Sequence, residues 1–300
     1  MKLALAGASG FVGSALVRQL EQQGHAVIRL VRRPADEPAE IAWHPASGEV
    51  EQPERLEGTE GVVNLAGSNL AAGRWTEARR AEIMRSRVES TRSLVAVLAR
   101  LNHPPRVLVS ASATGYYGSR GEEELTEASG RGEGFLAEVC HAWEEEARVA
   151  ESAGIRTVLL RTGMVLGPGG GALARLRPAF RAGLGGHLGD GRQWMSWIAL
   201  ADLVRVVVRG LDDAQLAGPV NAVAPTPVRN AEFTAALARE LGRRTFAPVP
   251  AFALRALFGE MAGAVLLASA RVRPRRLAGA GFAFVHADLA GALHAALGAR

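Results

Sequence analysis

Over its first 160 or so residues the chain alternates short apolar runs with longer stretches whose apolar positions fall at helical spacing. Leu3 to Ala6, Ala26 to Val31, Gly61 to Leu65, Val107 to Ser112 and Ile155 to Leu160 have the length and apolar content of strands buried on both faces. The intervening stretches Phe11 to Leu20, Thr76 to Leu101 and Gly134 to Gly154 read as helices. Residues 34 to 60 are polar and proline-bearing, with a short strand expected around Ile41-Ala42-Trp43. Strands alternating with helices over this length predict an α/β protein with a doubly wound parallel sheet. From Gly167 onward the pattern changes to glycine-rich loops and separate helices, through Gly169-Gly170-Gly171, Gly183 to Gly191 and Gln193 to Ile198. Residues 218 to 230 read as a return to the sheet, and 231 to 297 as helices with short strands. The expected division is 1–167, with a returning segment near 200–225, and an interleaved smaller region, 168–300.

Where the first strand meets the first helix, Gly7-Ala8-Ser9-Gly10-Phe11-Val12-Gly13 places glycines three residues apart. A dinucleotide-binding turn needs this: Gly7 for the tight turn, Gly10 for approach of a pyrophosphate to the backbone, Gly13 for close packing of helix on strand. The amides at the helix N-terminus then face an anion. At the end of the second strand stand Arg32 and Arg33 rather than the acid that holds a ribose 2′-hydroxyl. Two guanidinium groups suit a 2′-phosphate, so the expected cofactor is NADP(H). Asn64-Leu65-Ala66-Gly67 ends another strand in a small-residue turn that would bring backbone against the cofactor's adenosine side. The strand ending at Ser110-Ala111-Ser112 runs into the loop Gly115-Tyr116-Tyr117-Gly118, and chemistry in an open parallel sheet is sought at that edge.

Composition narrows the field. The chain is 48% hydrophobic and 22% charged, without an apolar run near the roughly 20 residues of a membrane span. No signal peptide is read at the N-terminus, because Gly7, Ser9 and Gly10 interrupt any apolar core, and the expected location is the cytoplasm. The net charge of +5 comes almost wholly from arginine, since Lys2 is the only lysine. These arginines are spread along helices beside glutamates, as in Glu77 to Glu82, which argues against a nucleic-acid face. The run Arg271 to Arg276 reads as a solvated turn or a clamp between elements. One cysteine, Cys140, excludes an internal disulfide, and the seven scattered histidines give no metal site. Expected partners are a small-molecule substrate and, as a candidate assembly, a homodimer, with neither nucleic acid nor membrane.

Several stretches together resemble the extended short-chain dehydrogenase/reductases, the sugar-nucleotide epimerase and dehydratase superfamily, and within it an atypical epimerase-like branch. They are the glycine turn, Asn64 to Gly67, Ser86 to Thr91, Ser110 to Gly118, Arg161 to Pro168, Gly185 to Gly191, Trp197-Ile198 with Asp202, and Pro274 with Gly281-Phe282. The resemblance spans nearly the whole chain. It implies that residues 1–167 form an NADP(H)-binding Rossmann domain and 168–300 a substrate-binding cap region, and that the activity is an oxidoreductase or epimerase-like one on a carbonyl or hydroxyl, including that of a nucleotide sugar. The superfamily's Tyr-x-x-x-Lys pair is absent. Alignment through Trp143-Glu144 puts Leu136 and Cys140, or one residue away Phe135 and Val139, in those places, and Arg87 where a supporting Asn usually stands.

The candidate catalytic residues are therefore Ser112, to polarise a carbonyl, and Tyr116 or Tyr117 as acid, with Arg87 or Arg161 near enough to lower a phenol pKa. Arg87 and Arg161 join Gly7 to Gly13, Arg32, Arg33, Asn64 to Gly67, Ser110 and Ala111 as candidate cofactor contacts. Two alternatives stay open: hydride chemistry with the proton taken from water or substrate, and a catalytically impaired NADP(H)-binding sensor or scaffold. Gln193, Ser196 and Arg192 are candidate substrate contacts, Trp194 and Trp197 are expected to pack the cap on the sheet, and Asp202 to cap a helix starting near Leu203. Cys140 reads as a small buried hydrophobe.

Overall fold

The protein is described by a computed structural model over residues 1–245 and 247–298. In chain order the elements are β1 (Lys2–Ala6), α1 (Phe11–Gln22), β2 (Ala26–Val31), β3 (Glu40–His44), β4 (Glu49–Val50), β5 (Gly61–Asn64), α2 (Glu77–Leu98), β6 (Val107–Ala113), β7 (Glu124–Leu125) and α3 (Phe135–Arg148). They continue as β8 (Arg156–Thr162), β9 (Met164–Leu166), α4 (Gly171–Arg181), β10 (Trp194–Met195), β11 (Trp197–Ala199), α5 (Leu200–Asp212), β12 (Gly218–Ala222), β13 (Val228–Arg229), α6 (Asn230–Glu240), α7 (Ala251–Phe258), β14 (Arg271–Val272), α8 (Arg275–Gly279) and α9 (Leu289–Gly298).

Eight strands form the main sheet in the order β12-β8-β6-β5-β1-β2-β3-β4. All pair in parallel except β4, which closes one edge antiparallel to β3. Strand β1 shows why the sheet is covered on both faces. Leu3 and Leu5 point into a core shared with Leu16 and Leu20 of α1 and Leu203 and Val207 of α5. Ala4 and Ala6, one residue out of step, point into the opposite core with Leu94 and Leu98 of α2 and Ala147 of α3. The expected doubly wound sheet is thus present as three layers. Strand order reverses between β1 and β5, and the carboxyl ends there open a crevice of the kind that takes a ligand.

The expected helix 76–101 is α2, begun by the Thr76 hydroxyl accepting the Arg79 amide at 3.2 Å. The expected helix 134–154 stops at Arg148 and continues as a 3-10 turn to Ala153. The return to the sheet is β12, residues 218–222, paired in parallel with β8. Beyond the sheet, three two-stranded ladders, β9/β11, β10/β13 and β7/β14, hold the C-terminal region in place. Its core joins Leu166, Phe180, Trp197, Phe233, Leu237 and Leu293. None of the described helices is long and apolar enough to cross a membrane.

One reading from sequence changes here, and one choice it left open is decided. Asp202 does not cap its own helix, which starts at Leu200 behind Ala199. Fully buried, its carboxylate accepts the amides of Val285 at 2.8 Å and His286 at 2.9 Å and pairs with Arg205 at 3.1 Å. It pins the C-terminal segment to α5. The Arg271 to Arg276 run is a clamp rather than a solvated turn: Arg273 and Arg275 both pair with Glu124, Arg276 bonds the Ala217 carbonyl, and Arg271 lies over the Trp194 ring.

Candidate functional site

At the end of β1 the three glycines stand in different surroundings. Gly7 has φ +83°, and a Cβ there would stand 2.8 Å from the Leu65 carbonyl group. A Cβ on Gly13 would stand 2.1 Å from the Gly7 oxygen, so α1 can pack this closely on the turn only without one. Gly10 is the N-cap and is exposed; a Cβ there would meet only the Gly7 oxygen, at 3.2 Å. No side chain caps α1 and no acid lies in its first turn, so its leading amides are left for an anion. Beside them lies a cavity of about 430 Å³ lined by Gly10, Phe11, Ser14 and Arg18 on one side and Pro168 to Gly170 on the other.

Phe11 reaches across to the C-terminal region. A Cβ on Gly170 would stand 2.3 Å, on Gly171 2.9 Å and on Gly167 3.1 Å from its ring. The glycine run expected as a loop is therefore shaped to seat this ring.

At the exit of β2 both arginines are exposed, and they differ. Arg33 pairs with Asp36 at 2.6 Å and with Glu40 at 2.8 Å, whereas Arg32 makes no hydrogen bond or ion pair with the described residues. Glu40, 3% exposed at the start of β3, was not singled out in the sequence, because its register against Arg29 depends on the β2–β3 pairing. At the exit of β5, Asn64 is fully buried and shapes the turn: its Nδ2 donates to the Thr91 hydroxyl at 2.8 Å and its Oδ1 accepts the Ala66 amide at 3.2 Å. Leu65, Ala66 and the exposed Gly67 then present backbone to the crevice. Beneath Gly67 lies Arg87 of α2, bonded to the carbonyls of Ile83 and Ser68.

The polar residues of the sheet's other half form a row. Ser112 of β6, Arg161 of β8 and Asn221 of β12 are register partners across three adjacent strands and share one face. From α3, Glu144 comes down on this row with 2% of its surface exposed. It accepts the Ser112 hydroxyl at 2.7 Å and two bonds from Arg161, both at 2.8 Å. The Arg161 guanidinium also donates to the Tyr117 hydroxyl at 3.0 Å, and that hydroxyl donates to Asn221 Oδ1 at 2.7 Å. Burial alone would lower the Arg161 pKa; the bonds and charge of Glu144 hold it above the ordinary arginine value. For Tyr117 burial dominates and raises the phenol pKa in spite of Arg161. The charge and hydrogen bond of Arg161 do pull that phenol's pKa down, as the sequence suggested, but burial outweighs them and the net shift is upward.

The structure thus brings Ser112, Tyr116, Tyr117 and Arg161 together, in unequal states. Tyr117 is sealed, with no exposed surface. Ser112 spends its proton on Glu144, and every polar face of Arg161 is engaged with Glu144 and Tyr117. Tyr116 is half-buried, its ring 3.4 Å from the Arg161 guanidinium carbon, and its hydroxyl makes no hydrogen bond with the described residues. Ser110 is fully buried with an unpartnered hydroxyl and lies below the site, while Ala111 is half-buried.

Glu144 is the central residue that sequence reading used only as an alignment mark. Cys140, Trp143, Glu144 and Ala147 form the buried stripe of α3, and an acid on such a stripe signals a buried counter-charge. Cys140 is 3% exposed, with burial pushing its thiol up to about 12, so it packs as a neutral thiol. Gln193 and Ser196, read as substrate contacts, knit the C-terminal region instead: Gln193 donates to the Leu188 and Leu266 carbonyls and Ser196 to that of Ala270. Arg192 is exposed. Trp197 is fully buried in the C-terminal core, whereas Trp194 lies between the guanidinium groups of Arg229 and Arg271.

These features fit a dinucleotide on observations independent of any relative. Backbone fills the space where Gly7 and Gly13 would carry side chains, α1 keeps its first turn free of acids and caps, and two cations, Arg32 just past β2 and Arg87 behind Gly67, have no carboxylate partners among the described residues.

Comparison with known proteins agrees. The model of the NAD dependent epimerase/dehydratase family matches residues 3–222, and a domain of unknown function matches residues 249–296. An epimerase family protein of Mycobacterium bovis, Mb2239, is 44% identical over 97% of this chain and 96% of its own. The crystal structure of human epimerase family protein SDR39U1 with NADPH superposes with a TM-score of 0.88 at 31% identity, covering 100% of both chains. A nucleoside-diphosphate sugar epimerase from Corynebacterium glutamicum gives 0.81 at 36% identity over 99% of this chain, which spans 58% of that one.

Proposed function

The chain belongs to the NAD dependent epimerase/dehydratase family, and on that premise we propose that it is an NADP(H)-dependent oxidoreductase or epimerase-like enzyme acting on a carbonyl or hydroxyl of a small molecule. The observation that carries this reading is the turn from Gly7 to Gly13, whose glycines leave an uncapped helix N-terminus open to a diphosphate at the sheet's switch point. The relative crystallised with NADPH supports it. Arg32 is the arginine to meet a 2′-phosphate, since Arg33 is already neutralised by Asp36 and Glu40.

Bound NADP(H) supplies hydride exchange; the chain's own residues must position the reacting carbon and move the proton. Tyr116 is the proton donor and acceptor in this reading, because its hydroxyl is open and its ring rests on the Arg161 cation. Ser112, with its own proton held by Glu144, presents lone pairs and accepts from a substrate hydroxyl.

Titration with NADPH and NADH, followed by NADPH consumption over a panel of carbonyl compounds, tests the proposal. NADPH should bind at least tenfold more tightly than NADH, and Tyr116→Phe should slow turnover about a hundredfold while leaving NADPH affinity intact. Equal binding of the two cofactors would remove the 2′-phosphate assignment, and turnover indifferent to Tyr116→Phe would remove the donor. A second reading, an NADP(H)-binding sensor or scaffold, is favoured by the commitment of Ser112 and Tyr117 to internal hydrogen bonds. Tight NADPH binding without turnover on any substrate would support it.

A further inference from the structure

Two arginines lie buried beside the crevice, and only one has a counter-charge. Arg161, 3% exposed, is paired side-on with Glu144 through its Nε and Nη2. Arg87, 9% exposed, has no carboxylate within ion-pair distance among the described residues. Its Nη1 donates to the Ile83 carbonyl at 3.2 Å and touches the Ser86 hydroxyl at 3.4 Å; its Nη2 donates to the Ser68 carbonyl at 3.0 Å. Its Nε makes no hydrogen bond with the described residues. The guanidinium lies 5.3 Å from the centre of the Trp143 ring and directly behind Gly67, where a Cβ would stand 3.2 Å from its Cζ. Cys140, whose thiolate would act on this cation, is kept neutral by burial. A largely desolvated guanidinium that keeps an unused Nε donor is under-satisfied, and its persistence calls for a hydrogen-bond acceptor outside the chain.

Position says which partner. The glycine turn and Arg32 lie at the ends of β1 and β2, on one side of the switch point, and Gly67 and Arg87 lie at the end of β5, on the other. A dinucleotide that meets Arg32 with its 2′-phosphate and crosses the glycine turn with its diphosphate has only its second nucleoside left to place, and it falls on the β5 side, which the sequence suggested for the adenosine half. That nucleoside brings a pair of vicinal ribose hydroxyls, whose oxygens match the fork of a guanidinium group. We infer that Arg87 holds the ribose of the cofactor's nicotinamide half, supplying a buried cation from α2. This rests on the proposed NADP(H) reading and adds to it the contact that fixes the reactive half.

The test compares wild type, Arg87→Met and Arg87→Lys for binding of NADPH and of 2′,5′-ADP, which carries the adenosine side alone, and records the thermal midpoint of each unliganded protein. Arg87→Met should weaken NADPH about ten- to a hundredfold and leave 2′,5′-ADP unchanged, and Arg87→Lys should recover part of the loss. The unliganded Arg87→Met protein should melt no lower than wild type, because an uncompensated buried charge has been removed. Equal losses for both probes together with a lowered midpoint would show a purely structural role and overturn the inference. So would unchanged NADPH affinity, including the case in which only the KM of a carbonyl substrate rises. Wild type binding neither probe would instead overturn the cofactor reading on which the inference stands.

Discussion

Glu144 carries three hydrogen bonds within a site that excludes water, so its removal leaves a guanidinium and a hydroxyl buried and unpaired. Glu144→Ala should lower unfolding free energy by about 3–5 kcal/mol, whereas Glu144→Leu combined with Arg161→Met should recover most of that loss. Urea unfolding of the single and double variants measures this, and additive losses would show that the pair is not the coupled unit described. The sequence displayed half of this unit. Arg161 interrupts the apolar run of β8 and Glu144 the apolar stripe of α3, and each alone says only that a charge is buried. That the two meet, with Ser112 and Asn221 in the same row, follows from a strand order in which β8 lies between β6 and β12. No local pattern encodes that order. The same holds for the tyrosines: adjacency made Tyr116 and Tyr117 equivalent in sequence, and the 3-10 turn that carries them points one into the sheet and leaves the other open.

At the scale of elements, the long strands and helices were legible because each buries one stripe or both faces over several residues. The ladders β7/β14 and β10/β13 were not, since two-residue strands have no period to read and exist only where tertiary contacts bring them together. What joins these ladders is electrostatic. Arg229 and Arg271 flank the Trp194 ring, and Glu122 accepts from Arg229 at 2.7 Å and from the Trp194 indole at 3.0 Å. The Arg229 hydrogen bonds, then that of Trp194, lower the Glu122 pKa from 4.5 to about 2. A carboxyl depressed in the folded state stabilises the clamp above the unfolded value and loses that contribution as pH falls through the folded one. The clamp should therefore hold at pH 5 and open as pH falls toward about 2. Because Glu122 is exposed, the change is local. Trp194 fluorescence should shift over this window while far-ultraviolet circular dichroism stays constant, and Glu122→Gln should show the shifted signal already at pH 5. A wild-type signal that is flat until global unfolding would show that the clamp does not depend on this charge.

Across the whole molecule, the cofactor turn and the C-terminal region are joined through one ring. Phe11 stands in the first turn of α1, beside the amides that face the crevice, and its ring fills the seat made by Gly167, Gly170 and Gly171. The glycine run looked in sequence like a plain loop because a missing side chain leaves no record of what occupies its place. Gly170 isolates the steric effect: its backbone is extended, with φ −158°, so alanine meets no conformational penalty there, only the ring 2.3 Å away. Gly170→Ala should push Phe11 and the start of α1 out of register with the turn and weaken NADPH binding about tenfold. Phe11→Leu, which vacates part of the seat, should bind nearly as well as wild type on its own and should restore most of the affinity when combined with Gly170→Ala. Such a rescue makes the two residues energetically coupled across the boundary between the sheet and the C-terminal region. If the double variant binds NADPH no better than Gly170→Ala alone, the loss arises within the 167–171 segment and the ring does not link the two regions.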